Sequence, residues 1–137
     1  MSESTFDLSI LLNLHNEPRY LRRTMRSLEE AVHLAKRYDI TFELVVVLDR
    51  PDAATKEWIE RCDFEAFDDH RVNVVDNGSL GLSRNDGIAI ARGEYIAVAD
   101  GDDLVSYDML CTAYLTAKSS VRKAIVVPKY AFAFGTH

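Results

Sequence analysis

The chain has 137 residues, a length that predicts a single domain large enough to bury a hydrophobic core. Hydrophobic residues make up 47% and charged residues 28%, a composition that is typical of soluble globular proteins and excludes a mainly disordered chain. The net charge of −6, from 16 Lys and Arg against 22 Asp and Glu, disfavours binding to a nucleic acid backbone.

Apolar runs of strand length alternate with segments of helical spacing. In chain order, the pattern predicts a strand at 8–14, a helix from Pro18 to 35, a strand at 42–48, a helix at 52–60, a strand at 71–75, a helix at 81–92, a strand at 94–99, a helix capped by Ser106 and running to about 118, and a strand at 124–127. This alternation predicts an α/β fold of the Rossmann-like type, with a mostly parallel sheet and helices on both faces.

Polar residues follow the predicted strands at four places, which are 13–18, 49–52, 76–81 and 100–103. Because parallel strands connected by helices end at the same edge of a sheet, these four loops should meet there. Ligands of such sheets bind outside the carboxyl ends of the strands. The sequence therefore predicts a binding site at this edge.

The last of these loops, Asp100-Gly101-Asp102-Asp103, has three carboxylates in four residues. Unpaired carboxylates this close repel one another, so a cation is expected among them. Mg²⁺ or Mn²⁺ fits, because such ions use one or two protein carboxylates together with phosphate oxygens. An acidic turn that caps the next helix is the alternative.

Three further residues carry weaker signals. Asp49 ends the second predicted strand and can accept hydrogen bonds from a base or ribose, or simply form a turn. Arg84 lies at a glycine-flanked helix start, where an anion can bind, although neither a dinucleotide-binding motif nor a phosphate-binding P-loop motif is present. His15 has no second histidine at metal-binding spacing.

The sequence shows no sign of a targeting peptide, a membrane-spanning run or a disulfide framework. The N-terminus is polar and acidic, the longest apolar runs are too short to cross a bilayer, and two cysteines are too few for a disulfide scaffold. These observations predict a cytoplasmic protein without a transmembrane segment.

Taken in order, the loops resemble the donor-binding half of family 2 glycosyltransferases with the GT-A fold. Residues 9–17 are similar to the first strand and following loop of that family, with His15 where tyrosine is common. The strand ending at Asp49 is similar to the family's strand that ends in two consecutive aspartates, and this chain keeps one of the two. The strongest stretch is 77–103, where an Arg-Asn-x-Gly helix and a strand lead into a D-x-D motif.

The resemblance implies a role for each residue. Asp49 would hydrogen-bond the nucleobase, expected to be uracil, and the loop of His15, Asn16 and Glu17 would border base and ribose. Arg84 would face the phosphates or the first-helix side of the pocket, and Asp100 would contact the ribose or sugar. Asp102 would ligate Mg²⁺ or Mn²⁺ on the diphosphate, with Asp100 and Asp103 as further candidate ligands. The expected reaction is inverting transfer from a nucleotide-diphosphate sugar to the hydroxyl of an unknown acceptor.

The family places its catalytic base after the donor-binding half, and no matching motif is found here. We therefore expect residues 1–137 to be one nucleotide-sugar-binding domain, incomplete at its C-terminus and inactive alone. The alternating apolar side chains of Tyr130, Phe132 and Phe134 would then be exposed, which predicts self-association or loose order there.

Three alternatives remain open at this point. A non-catalytic nucleotide-sugar-binding module would share the fold, and a nucleotidyltransferase would need a glycine-rich basic loop after the first strand. A receiver-like signalling module would use Asp76 and Lys129, although it also needs an acidic pair where this chain has Asn13 and Asn16.

Overall fold

The chain folds around a parallel sheet. A computed structural model describes residues 4–129. The elements are β1 (Phe6–Leu14), α1 (Pro18–Lys36), β2 (Phe42–Asp49), α2 (Ala53–Arg61), β3 (Asp69–Val75), α3 (Leu80–Ile90), β4 (Gly93–Asp100) and α4 (Met109–Ser119). The strands lie in the order β3-β2-β1-β4, and every neighbouring pair is parallel. The predicted fold class is confirmed.

Helices cover both faces of the sheet. On one face, β1 and β2 contribute alternate side chains such as Leu12 and Leu44 to a core shared with α1, Ile59 of α2 and the buried side of α4. On the other face, Leu11, Val45 and Val47 form a smaller cluster with Ile90 at the end of α3. β1 and β2 are the central strands, and all eight residues of β2 are buried. Continuous apolar runs are what a strand buried on both faces requires.

The helix boundaries follow their capping residues. α1 begins at Pro18, α2 follows Asp52, whose side chain accepts from the Thr55 N–H, and α3 follows Ser79, whose side chain accepts from the Leu82 N–H. The prediction that Ser106 caps the last helix is wrong. Its hydroxyl donates to Asp108 instead, and α4 begins three residues later, at Met109.

The predicted fifth strand at 124–127 is absent from the described residues. Ile125 and Val127 are 93% and 75% exposed, so this apolar run meets neither a core nor a neighbouring strand. Apolar and β-branched residues favour a strand only where a ladder partner and a buried face are present. Tyr130, Phe132 and Phe134, on which the prediction of self-association rests, lie outside the described residues.

The register of the sheet sets the geometry of its carboxyl edge. Asn13 of β1 lies opposite Val47 of β2 and opposite Asp100 of β4. Asp49, the last residue of β2, lies opposite Val75 of β3. The four strands therefore end side by side, as the alternating pattern predicts. Within residues 4–129, no helix is both long and apolar enough to cross a membrane.

Candidate nucleotide-binding site

A cleft of about 460 Å³ opens at the carboxyl edge of the sheet. Its walls come from the ends of β1, β2 and β4, the loops that follow them and the start of α3. Nine polar side chains line it, those of Asn13, His15, Glu17, Asp49, Arg50, Ser79, Ser83, Asp100 and Asp102. Five of these nine (His15, Glu17, Asp49, Asp100 and Asp102) were singled out from the sequence, and the parallel topology brings them together.

Asp49 is the most extensively hydrogen-bonded side chain of the cleft. Its Oδ1 accepts from the backbone N–H groups of Asn77 (2.9 Å) and Gly78 (3.0 Å), and its Oδ2 accepts from the Ser79 N–H (3.1 Å) and the Ser83 hydroxyl (2.9 Å). Burial opposes the charge, but these donors outweigh it and lower the pKa of Asp49 to about 2. Asp49 is therefore an ionised anchor for the 77–79 backbone.

The loop after β1 is fastened to the loop after β2. His15 Nδ1 lies 2.6 Å from the carbonyl oxygen of Asp49, and Asn16 Nδ2 lies 3.2 Å from His15 Nε2. These contacts fit the tautomer in which Nδ1 donates to the carbonyl and Nε2 accepts from the amide. Asn16 Oδ1 also accepts from the Asp52 N–H at 2.9 Å. The two loops thus form one continuous wall of the cleft.

Glu17 stands between this wall and the acidic loop. Its Oε2 accepts from the His15 N–H at 2.6 Å, which bends the chain into the start of α1. Partial burial raises the pKa of Glu17, the His15 N–H opposes that rise, and the charges of Asp102 and Asp100 reinforce it. Burial is the main cause of the raised pKa, and the two carboxylates of the acidic loop add to it.

Asp100 is paired with an arginine of α3. Arg84 Nη2 donates to both carboxylate oxygens of Asp100, at 3.0 Å each, with both side chains about one third exposed. Arg84 Nε is buried and has no hydrogen-bond partner among the described residues. This ion pair compensates one of the three charges that the sequence suggested were uncompensated.

Asp102 and Asp103 have different surroundings. Asp103 Oδ2 accepts from the Asp100 N–H at 3.1 Å and closes a turn, as the alternative interpretation of this loop requires. Asp102 is exposed and lines the cleft beside Asp100 and Glu17. The loop is held against α1 because Thr24 Oγ1 donates to the Gly101 carbonyl at 2.9 Å.

The donor set fits a hard divalent cation only with help from a ligand. Within residues 4–129, no group of three or more His, Cys, Asp or Glu side chains could hold a metal ion by itself. Asp102 offers exposed carboxylate oxygens in the lining of the cleft, beside Glu17 and Asp100. Mg²⁺ and Mn²⁺ commonly use one or two carboxylates and complete their shell with water and phosphate oxygens. The residues present fit that mode of binding.

The rim of the cleft on the β2 side has strained backbone. Arg50 has φ +47°, a left-handed conformation that is uncommon outside glycine, and its side chain pairs with Asp76. The guanidinium packs over Gly78 (φ +61°), where an added Cβ would come within 2.5 Å of Arg50 Nη1. The positive φ angle favours glycine at position 78, whereas the flexible Arg50 side chain could move to make room for a Cβ.

Sequence reasoning missed three residues that the structure places at the site. Asn77 and Ser83 are partners of Asp49, and Asn77 Nδ2 also donates to Asp86 at 2.7 Å. No spacing rule links them, because they lie 28 and 34 residues from Asp49. Asn13 is the third, and its signal was an amide at the end of an otherwise apolar strand.

One family model matches nearly the whole chain. It is described as Glycosyl transferase family 2, and the match covers residues 9–135. No curated protein sequence is significantly similar to the chain.

Solved structures of TarS from S. aureus have a similar fold. One crystal structure has 23% sequence identity and a TM-score of 0.69, covering 82% of this chain and 32% of that one. TarS in complex with UDP matches at 24% identity and a TM-score of 0.69, with the same coverage. TarS in complex with UDP-GlcNAc matches at 23% identity and a TM-score of 0.70, covering 82% and 31%. The chain spans about a third of the length of these TarS chains.

Proposed function

Because the chain belongs to glycosyl transferase family 2, we propose that its cleft binds the nucleoside diphosphate of a sugar donor, whose sugar passes to an acceptor hydroxyl. The observation that carries this proposal is the gathering of Glu17, Asp49, Asp100 and Asp102 around one cleft at the carboxyl edge of the sheet. We favour UDP as the nucleotide, since TarS, which has a similar fold, has been solved with UDP and with UDP-GlcNAc.

We place the nucleobase and ribose between the wall formed by His15 and Asn16 and the anchor Asp49. The bond from His15 to the Asp49 carbonyl fixes the width of this part of the cleft. Each Asp49 oxygen already accepts two hydrogen bonds, so a uracil N3–H would share an oxygen with two donors or displace one of them. Glu17 borders the ribose, because it lies where the base-binding wall meets the acidic loop.

We place the diphosphate towards the acidic loop, with Arg84 facing the phosphates. Glu17, Asp100 and Asp102 would repel a diphosphate unless a cation lies between them. Asp102 would hold Mg²⁺ or Mn²⁺, with Asp100 and Asp103 as further candidate ligands. When bound, this ion would neutralise negative charge on the departing diphosphate.

The transfer step we propose is a single displacement with inversion at the anomeric carbon. Such a step needs a base for the acceptor hydroxyl. Among the described residues after Asp103, the one carboxylate is Asp108, which accepts from Ser106 at the N-cap of α4. We therefore assign donor binding to this chain and assign no base.

A receiver-like role gains no support from the position of Asp76. Its side chain is 84% exposed and paired with Arg50, and it does not line the cleft. A phospho-acceptor aspartate would have to share a pocket with the other acidic residues.

The proposal is tested by calorimetric titration of the chain with UDP, in Mn²⁺ and in EDTA. We expect binding in both conditions and affinity about tenfold higher with Mn²⁺, because the ion relieves repulsion between carboxylates and diphosphate. Asp102→Asn should remove that gain and bind UDP in EDTA at least as tightly as the wild type, because one repelling carboxylate is lost.

Glu60→Gln is the matched control, since it removes an exposed carboxylate of α2 that lies outside the cleft. It should keep the full response to Mn²⁺. Absence of binding to any nucleoside diphosphate would refute the proposal, and equal UDP affinity with and without Mn²⁺ would refute its metal component.

A further inference from the structure

The first half of α1 carries four positive charges and no negative one. The side chains of Arg19, Arg22, Arg23 and Arg26 are exposed, and no Asp or Glu occurs within residues 18–28. Each of these arginines lies three or four residues from two others, so they share one face of the helix within about 10 Å along its axis. We call this face the arginine patch. It occurs in a chain whose net charge is −6.

The stability of the helix does not explain the arginine patch. Like charges three or four residues apart on a helix repel one another. The amino end of a helix also has a partial positive charge, which disfavours cations there, yet Arg19 is the second residue of α1 and its first turn has no acid. Of the four arginines, only Arg26 forms an ion pair within residues 4–129, with Glu30 at 3.1 Å. The patch therefore costs stability in the free protein, as residues kept for binding often do.

Aromatic and apolar side chains border the arginine patch. Tyr20 is 44% exposed, and its ring centroid lies 5.9 Å from Arg19 Cζ. The Val105 N–H donates to Ser27 Oγ at 3.3 Å, which places the neighbouring Leu104, 51% exposed, beside α1. Arginine together with tyrosine and leucine is a combination typical of protein surfaces that lie on an anionic lipid bilayer.

We propose that the arginine patch docks this protein on the surface of an anionic lipid bilayer. The guanidinium groups would pair with lipid phosphates, since arginine donates two parallel hydrogen bonds to such groups. Tyr20 and Leu104 would enter the layer between headgroups and acyl chains. A soluble polyanion would satisfy the arginines but leave these two side chains in water. The exposed carboxylate of Asp102 would be repelled, which turns the patch rather than the cleft towards the bilayer.

Flotation of the chain with lipid vesicles tests the proposal. Vesicles of phosphatidylcholine alone are compared with vesicles in which about one third of the lipid is phosphatidylglycerol. We expect binding to the anionic vesicles at low salt. Binding should be about tenfold weaker or less with the neutral vesicles and with anionic vesicles at high salt, because the attraction depends on lipid charge and is screened by ions.

Two variants locate the contact. Arg22→Gln/Arg23→Gln should bind the anionic vesicles about 30-fold more weakly, because each arginine near the surface contributes to the attraction. Without vesicles it should melt at least as high as the wild type, since repulsion within α1 is reduced. Leu104→Ser should weaken vesicle binding about fivefold and leave any binding of soluble polyphosphate unchanged, because only a bilayer accepts the leucine.

Arg122→Gln/Lys123→Gln is the matched control, because it removes the same number of charges from the exposed segment that follows α4. This segment lies at the amino edge of the sheet, where Lys118 pairs with Glu94 near the start of β4. The arginine patch lies towards the opposite edge, since α1 begins after the carboxyl end of β1. The control should leave vesicle binding unchanged.

Each other outcome overturns the inference. Equal binding to neutral and anionic vesicles, or an equal loss in the control variant, would show that the arginine patch is not the contact. A lower melting temperature in Arg22→Gln/Arg23→Gln would show that these arginines stabilise the helix. Binding of polyphosphate or duplex DNA without binding of vesicles would assign the patch to a soluble polyanion. The vesicles contain no nucleotide, so none of these results bears on the proposed function.

Discussion

At the scale of single residues, Asp49 shows how one carboxylate can organise a loop that is distant in sequence. Three backbone N–H groups of residues 77–79 and the hydroxyl of Ser83 converge on its two oxygens. Hydrogen bonds to a charged acceptor are stronger than those between neutral groups. The 77–79 backbone and the start of α3 therefore take their position from the end of β2.

Replacing Asp49 by Asn should lower the free energy of unfolding by about 2–3 kcal/mol, because an amide nitrogen cannot accept from the N–H groups it faces. Urea unfolding at pH 7 measures this. The pKa of about 2 in the folded protein lies below the ordinary 3.8, so the advantage of the wild type is complete above pH 3.8 and is lost as the pH falls through 2.

Asp76→Asn is the control for this prediction, since its carboxylate is exposed and makes a surface ion pair with Arg50. The expected change is below about 1 kcal/mol. A loss as large as that of Asp49→Asn would show that charge alone, rather than the bonds to the loop, accounts for the effect.

At the scale of elements, α3 is the helix that ties the sheet to the cleft. In its first turns, the Ser83 hydroxyl donates to Asp49 and Arg84 Nη2 donates to Asp100. Its middle approaches the sheet so closely that a Cβ on Gly87 would lie 2.1 Å from Leu11 Cδ1 and 3.0 Å from Val47 Cγ2. Gly87 therefore sets the distance between helix and sheet.

Gly87→Ala should destabilise the protein by about 1–3 kcal/mol, although alanine is ordinarily the better helix former. Gly81→Ala, in the same helix, meets nothing closer than 4.0 Å and should be neutral or stabilising by up to about 1 kcal/mol. Thermal unfolding of the pair measures both. Equal effects would contradict the close packing of α3.

The helices and strands could be predicted from the sequence where burial alone explains the hydrophobic pattern. The amphipathic spacing of α1 and the apolar runs of β1 and β2 reflect burial, and the structure confirms them. The run at 124–127 is equally apolar, but a strand also needs a neighbour to pair with, which local sequence does not show. The late start of α4 has a similar reason, since the Ser106 hydroxyl bonds the Asp108 side chain rather than a helical N–H.

At the scale of the whole molecule, the two edges of the sheet have different roles. At the amino edge, Glu43 is fully buried and accepts from Ser9 Oγ at 2.5 Å and from Arg92 Nε at 3.0 Å. Arg92 also pairs with Asp69, at 2.6 Å. This network is satisfied and lies away from the cleft, whereas the carboxyl edge holds the crowded carboxylates.

Glu43→Gln should lower the free energy of unfolding by about 2 kcal/mol, because it removes the fully buried one of the two carboxylates that pair with Arg92. UDP affinity, measured well below the melting temperature, should not change. Glu94→Gln, which breaks the exposed pair with Lys118, should cost less than about 1 kcal/mol. A weakened UDP affinity in Glu43→Gln would show that the two edges are coupled.

The location of the site could be predicted from the topology, whereas the ion pairs among its side chains could not. Asp49, Asp100 and Asp102 follow apolar strands, and a parallel sheet has to bring such residues together. Whether a carboxylate there stays free depends on side chains from other elements. Arg84 reaches Asp100 from α3, and no local pattern distinguishes that pairing from an exposed arginine.

Because every residue of β2 is buried and the bonds among Glu43, Arg92 and Asp69 hold the amino ends of the strands, Leu80 can vary almost independently of the scaffold. Leu80 lines the cleft and is 49% exposed, so it contributes little to the interior. Combinatorial randomisation at this one position would be a practical route to an altered cleft, with most clones still able to fold.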